Sequence, residues 1–252
     1  LSHTYPYGKQ KKNRGGMWYT PVSGIWQTVW LEAVPEIYIH KIIIDTDMNG
    51  LDVFVETTNC QLPEKDDVFD FALKIKLRGE SQKEYVFESE SSKIRIDLPV
   101  EEDFLLWSPD NPKLYDFTVE FYSSVENMKN NQLPLDCVNS YFGLREVNIQ
   151  NIQGNYFICL NNKPIFLHGV LDQGYYPEGI YLPYTEDGYI EDIVSMQALG
   201  FNTLRKHIKI EPEIFYYLCD KHGMLIMQDM VNNGSYNFLR DTALPTVFSK
   251  KG

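Results

Sequence analysis

The chain has 252 residues, enough for one or two domains, and 43% hydrophobic with 14% aromatic content supplies packed cores. Thirty-five acids against 23 bases give a formal net charge of −12 at pH 7, which argues against a polyanionic partner such as nucleic acid. No run approaches the ~18 consecutive apolar residues of a membrane span, so no membrane partner is expected, and the chain opens on Leu1 without a charged-then-apolar leader pattern.

The opening segment, 1–35, is basic and glycine-containing at 9–16. It then places Trp18, Trp26 and Trp30, three of the four tryptophans, among Tyr19, Ile25, Val29 and Leu31. Such a cluster needs something to bury it. An aromatic edge hairpin packed on the next domain and an exposed sugar-stacking platform both fit, since Tyr and Trp suit either surface.

Residues 36–147 read as all-β. Apolar residues alternate or nearly alternate at Ile37, Ile39 and 42–44, at Val53 and Val55, from Phe69 to Leu77, at Ile94 and Ile96, and at Phe117, Val119 and Phe121. Met48-Asn49-Gly50 and Arg78-Gly79-Glu80 are turn signals between them. About seven strands in ~100 residues predict an immunoglobulin-like β-sandwich. Trp107 and Tyr115, flanking Pro109 and Pro112, are expected to pin a rigid connection to its core. His40 is a strand-surface residue in this reading.

From 148 the pattern changes to strand, helix, strand, helix, strand. Apolar runs at 157–160 and 165–170 flank Asn161-Asn162-Lys163-Pro164, a hairpin feeding a buried strand. Ile190, Ile193, Val194 and Leu199 predict a helix with Thr185 as N-cap and Gly200 as its stop. A short strand at 202–206 follows. A helix over 212–222 has Pro212 in its first turn, ends at Gly223, and places His222 where it suits the helix dipole. The run 224–227 then leads into Gln228 and Asp229. This is a parallel βα array.

In such arrays chemistry gathers at the carboxyl ends of the strands. The residues predicted there are His168, Asp172 and Gln173 after the first strand, Arg205 and His207 after the second, and Asp229 and Asn232 after the third. Each has a plainer reading: His168 as a hydrogen-bonded interior side chain, Asp172 as a turn cap, Asp229 as a counter-charge to Arg205. The four cysteines, Cys60, Cys137, Cys159 and Cys219, have neither CxxC spacing nor a compact framework. No metal or other cofactor is expected, and free thiols are the default, with a Cys60–Cys137 bridge left open.

The stretch 140–230 resembles glycoside hydrolase family 2, the β-galactosidase and β-glucuronidase type, at the junction of its immunoglobulin-like domain and its catalytic (β/α) barrel. FGLRE at 142–146, LNNKPIFLHGV at 160–170, LGFNTLRKH at 199–207 and YYLCDKHGMLIMQDM at 216–230 carry the resemblance, in the family's order and near its spacing. GGMWYTPVSGIWQTVWLE resembles the closing strands of the family's jelly-roll domain, and LLWSPDNPKLYDF its WxPxxPxLY segment. The resemblance implies a jelly-roll remnant at 1–35, the sandwich at 36–147 and a truncated TIM (β/α) barrel at 148–252.

It also implies a retaining glycosidase that cleaves terminal β-linked sugars from an oligosaccharide or glycoside. Two glutamates about 5–5.5 Å apart would act as acid and nucleophile. The family draws them from its fourth and seventh strands, so both are expected beyond Gly252, and the piece itself is expected to be inactive. Arg205 aligns with the arginine that bonds the nucleophile, and Asp229 with an acid offered to the sugar. Lys206-His207-Ile208-Lys209 and Leu171-Asp172-Gln173-Gly174 depart from the β-galactosidase runs at those places and indicate a distinct branch. The competing class is a noncatalytic carbohydrate-binding or scaffold module. Ile165, Leu167, Leu204, Leu225 and Met227 are expected to share an uncovered face through which copies self-associate.

Overall fold

A computed structural model of the protein describes residues 7–12, 16, 18–58 and 71–231. The expected contributions of Cys60, Phe69 and 232–252 lie outside the described residues. The chain divides into two compact units, one built on Trp30–Leu167 with Asp220–Gly223, the other on Leu1–Val29, His168–Cys219 and the residues from Met224.

The first unit is antiparallel. Its strands are β1 (Ile39–Thr46), β2 (Gly50–Thr57), β3 (Ala72–Arg78), β4 (Glu84–Ser89), β5 (Lys93–Asp97), β6 (Tyr115–Tyr122) and β7 (Asp136–Phe142), with a short helix α1 (Val125–Lys129) between β6 and β7. They form a three-stranded sheet, β1-β2-β5, and a four-stranded sheet, β4-β3-β6-β7. The inward residues of both sheets share one core: Leu51, Val53 and Val55 from β2, Leu73, Ile75 and Leu77 from β3, Phe117, Val119 and Phe121 from β6. Outward positions are mostly polar, with Ile43, Phe54 and Val86 as exceptions, and Lys76 pairs with Glu120 across β3 and β6. This period of two is what buries one side of each strand and wets the other.

The turns have local causes. Asp47 Oδ1 accepts from the backbone N–H of Asn49 (2.7 Å) and Gly50 (3.0 Å), closing the β1–β2 turn. Ser124 caps α1 by accepting from Asn127 N, an element the alternation did not reveal. Trp107 and Tyr115 are both buried, and the Tyr115 hydroxyl accepts from Leu105 N at 2.7 Å, tying the proline-rich connection to the core strand.

A second small sheet, β10-β9-β8, follows, made of β8 (Val147–Ile152), β9 (Asn155–Leu160) and β10 (Lys163–Pro164). Its β9–β10 turn has Asn161 and Asn162 at φ 52° and 61°, the left-handed pair that a two-residue hairpin requires. Pairing sets Ile149 opposite Ile158, and both are exposed.

The second unit is a βαβαβ array: β11 (Gly169–Asp172), α2 (Asp187–Ala198), β12 (Thr203–Lys206), α3 (Glu213–His222) and β13 (Leu225–Gln228). The strands are parallel with β12 central, and the register aligns Val170, Leu204 and Ile226 in one row and Leu171, Arg205 and Met227 in the next. The first row packs against Tyr189 and Ile193 of α2 and Phe215 and Leu218 of α3. The second row faces away, with Leu171 and Met227 48% and 49% exposed. Leu204 therefore belongs to the helix-covered face, a correction to the expectation that it shares the open face with Met227. Successive strand residues point to opposite faces, so Leu204 and Arg205 must part.

Two further expectations shift. The N-cap of α2 is Glu186, without a side-chain cap bond, while Thr185 Oγ1 reaches only Asp187 Oδ2 at 3.5 Å. His168 precedes β11, so it stands at the amino end of the sheet, donating from Nδ1 to Gly200 O (3.0 Å) with its ring tilted against Phe201. At the far end of α2, Gly200 (φ 88°) donates to Gln197 O and Phe201 to Met196 O. That bonding pattern is the glycine stop. Among the described residues no helix is long and apolar enough to cross a membrane, and no group of three or more His, Cys, Asp or Glu is arranged to hold a metal.

Burial separates two isoleucines sharply. Ile75, fully buried between the sheets, should cost about 2–5 kcal/mol when replaced by alanine, whereas Ile149→Ala, at 71% exposure, should change stability by no more than ~0.5 kcal/mol. Urea unfolding of both variants checks this, and equal losses would contradict the assignment of the core.

Candidate functional site

The carboxyl ends of β11, β12 and β13 carry two distinct sets of polar side chains, one on each face of the sheet. On the open face, Arg205 grips Asp229 with two parallel bonds, Nε to Oδ1 and Nη2 to Oδ2, both 3.1 Å. The pair stays partly wet, with 54% and 25% side-chain exposure. A planar fork engaged on one edge is fixed in orientation. Its Nη1 edge makes no hydrogen bond or ion pair among the described residues.

His207, one residue past the strand, is held by the Tyr19 hydroxyl at 2.6 Å from Nδ1. Burial, followed by the nearby Lys9 charge, pushes its imidazole below the usual range, so the ring is neutral at pH 7. Tyr19 starts a line of rings: Tyr19 to Tyr175 at 5.2 Å, Tyr175 to Tyr181 at 5.3 Å, Tyr181 to Trp26 at 4.7 Å. These residues come from the opening segment and the β11–α2 loop.

On the helix-covered face the polar set is buried. Lys206 and Glu211 have no exposed side-chain surface, and Lys206 Nζ lies 2.6 Å from Glu211 Oε1 and 2.8 Å from Asp172 Oδ2. Lys209 Nζ meets the same Glu211 oxygen at 2.7 Å and donates to the carbonyls of Gly174 (2.7 Å) and Tyr181 (2.5 Å). Asp172 Oδ1 also accepts from Gly174 N at 2.8 Å. Two lysines and two carboxylates thus balance in charge, which is the condition for burying them at all.

Gly174 is the hinge of this arrangement. Its φ is 65°, and a Cβ there would collide with Glu211 Oε1 and come within 2.8–2.9 Å of both ammonium groups. The loop 207–211 is also strained, for Ile208, a β-branched residue, has φ 49°. It is held from both sides: Gln228 Nε2 donates to Lys209 O at 2.8 Å, and Tyr216 links Gln228 Oε1 (2.6 Å) to Glu211 N (3.2 Å). Strain of this kind persists only where the surroundings over-determine the backbone.

Of the sequence-predicted residues, the structure brings Arg205 and Asp229 together, sets His207 against Tyr19, gives Asp172 to the buried network, leaves Gln173 exposed and puts His168 at the opposite end of the strands. Sequence reasoning missed Lys206, Lys209 and Glu211. The signal was present as Lys-x-x-Lys-x-Glu in a segment flanked by apolar residues, but charges at strand ends ordinarily read as solvated.

Lys209 gives a pH test. Burial, only partly offset by Glu211, lowers its ammonium from the ordinary 10.5 to about 8. The folded chain releases this proton earlier than the unfolded chain, so unfolding takes up a proton between about 8 and 10.5, and the contribution of Lys209 to stability rises with pH across that window. Heteronuclear NMR of the lysine ammonium groups should find one titrating near 8, and a uniform set of ordinary lysines would contradict the buried placement.

Residues 37–145 match the family described as Glycosyl hydrolases family 2. A β-galactosidase of Leuconostoc mesenteroides subsp. mesenteroides is 28% identical over 137 residues, 54% of this chain and 12% of that protein. A β-galactosidase of Pseudoalteromonas haloplanktis is 30% identical over 123 residues, 49% of this chain and 11% of its own length. Among solved structures, the Ruminococcus gnavus β-glucuronidase superposes with a TM-score of 0.62 at 19% identity, over 78% of this chain and 30% of that one. Its complex with D-glucuronic acid gives 0.63 over 80% and 31% at 19% identity. The chain therefore spans a small part of these proteins, about an eighth of the curated relatives, and its match to the glycosyl hydrolases family 2 model lies in residues 37–145.

Proposed function

We propose that this chain is the front part of a retaining β-glycosidase, in which the antiparallel unit is an immunoglobulin-like sandwich, the opening segment the last strands of a jelly-roll domain, and β11 to β13 the first strands of a (β/α) barrel. The observation that carries the reading is the Arg205–Asp229 pair on the open face at the strand carboxyl ends, the position where barrels of this kind assemble their chemistry. Asp229 fixes the guanidinium and leaves one edge of the fork to receive a second carboxylate. A nucleophilic glutamate held there stays ionised, because a positive neighbour favours the charged form.

Retaining hydrolysis needs two such carboxyl groups about 5–5.5 Å apart, one to protonate the leaving oxygen and one to attack the anomeric carbon. In this reading other strands of the barrel supply both. β11 to β13 contribute the positioning side, and alone they have no means of breaking a glycosidic bond. The relatives are β-galactosidases and a β-glucuronidase, so a terminal β-linked sugar is the substrate class. The open row of Leu171 and Met227 is then the barrel's inner wall, and in the isolated chain it is the surface through which copies associate, which light scattering reads directly.

In the full-length enzyme Arg205→Lys should lower kcat by about tenfold or more with KM changed little. Lysine keeps the charge and loses the planar two-point grip that orients the nucleophile in the transition state. Steady-state kinetics on a chromogenic β-glycoside decide it. An unchanged kcat with a raised KM would make Arg205 a plain substrate contact.

A further inference from the structure

A recess of about 290 Å³ opens beside Lys209, walled by Trp26 and Tyr181 and rimmed by Tyr7, Gln27 and Val231. At ~30 Å³ per water it holds roughly ten waters, room for one six-membered ring with its substituents. Neither Arg205 nor Asp229 lines it.

Its chemistry is narrow. Trp26 and Tyr181 meet edge to face at 67°, and the Lys209 ammonium lies 5.6 Å and 4.7 Å from their ring centroids, so cation–π attraction holds both rings in place. That ammonium offers a ligand nothing more, because its three hydrogens are directed to Gly174 O, Tyr181 O and Glu211 Oε1. Among the described residues no carboxylate or arginine lines the recess. The amide of Gln10 is likewise spent, donating to Tyr7 O and accepting from Val22 N. The Gln27 amide and the Trp26 indole N–H make no hydrogen bond among the described residues. What remains is aromatic surface with one amide and one N–H at its edge, a set that suits a ring with an apolar face and neutral hydroxyls at its margin.

We propose that the Trp26–Tyr181 recess is a saccharide subsite for an uncharged pyranose unit, separate from the Arg205–Asp229 centre. The proposal rests on the carbohydrate reading of the chain. In an oligosaccharide substrate it grips a sugar other than the one whose bond is cleaved. Charged sugars are disfavoured, since a carboxylate would enter a recess with no unpaired cation to receive it.

Saturation-transfer difference NMR on the whole chain, with methyl β-D-galactoside, methyl β-D-glucoside and sodium D-glucuronate as probes, tests this. Transfer to at least one neutral glycoside and weaker transfer to glucuronate are expected. Trp26→Ala should weaken the neutral glycoside by roughly tenfold, the ratio that ~1.4 kcal/mol corresponds to. Gln27→Ala, at an exposed side chain without hydrogen-bond partners among the described residues, should weaken it severalfold with the fold intact, and Arg205→Ala should leave it unchanged. Binding abolished by Arg205→Ala and untouched by Trp26→Ala and Gln27→Ala would overturn the subsite while leaving the glycosidase reading standing. Preference for glucuronate, or no transfer to any probe, would also overturn it. The kinetics of the full-length enzyme judge the glycosidase reading independently.

Discussion

Glu211 is the constraint on which the strand-end architecture depends. One buried oxygen of this carboxylate faces two lysines, and a second carboxylate, Asp172, completes the balance. Removing ions from water costs several kcal/mol each, and only close opposite charges and further hydrogen bonds offset it. Everything nearby bends to keep that compensation: Gly174 has no side chain because three charged heads occupy its space, and Ile208 accepts a left-handed backbone so that the residues around it can turn to the same buried side. The loops so fixed carry the rings of Tyr175 and Tyr181 and the imidazole of His207.

The strands use their two faces for different purposes. One row of side chains, Val170, Leu204 and Ile226, ends in the buried ionic network, and the alternate row, Leu171, Arg205 and Met227, ends in the half-wet Arg205–Asp229 pair. Stability and site chemistry are thereby separated by a single residue step. Arg205 and Lys206 are neighbours in sequence and serve opposite sides of the sheet. The recess at Trp26 and Tyr181 adjoins the structural side through Lys209, which explains why a lysine can line a recess without making it an anion site.

The sandwich was legible because burial on one side of a strand writes itself as alternation, visible from Val53 and Val55 through Phe117, Val119 and Phe121. The ends of α2 and α3 were legible at Gly200 and Gly223, where φ of 88° and 80° calls for glycine. The cap of α2 was not, since Thr185 and Glu186 differ in the sequence only by one place and the backbone chose the latter. Arg205 and Asp229 were readable as strand-end charges. The Lys206–Glu211–Lys209 network was not, because the same residues in water would look identical, and only the fold decides that their heads are buried. The aromatic line from Tyr19 to Trp26 joins segments more than 150 positions apart, beyond the reach of any local pattern.

A stability cycle tests the central role of Glu211 most directly. Urea unfolding would compare Glu211→Gln in the native background with the same change in a chain already carrying Lys206→Met and Lys209→Met. With both ammoniums present, the substitution leaves two buried cations with too little compensation and should cost about 3–5 kcal/mol. Without them, most of that loss should vanish. The same loss in both backgrounds would show that Glu211 is held by its shape and not by its charge, and the account of the strand ends would fail.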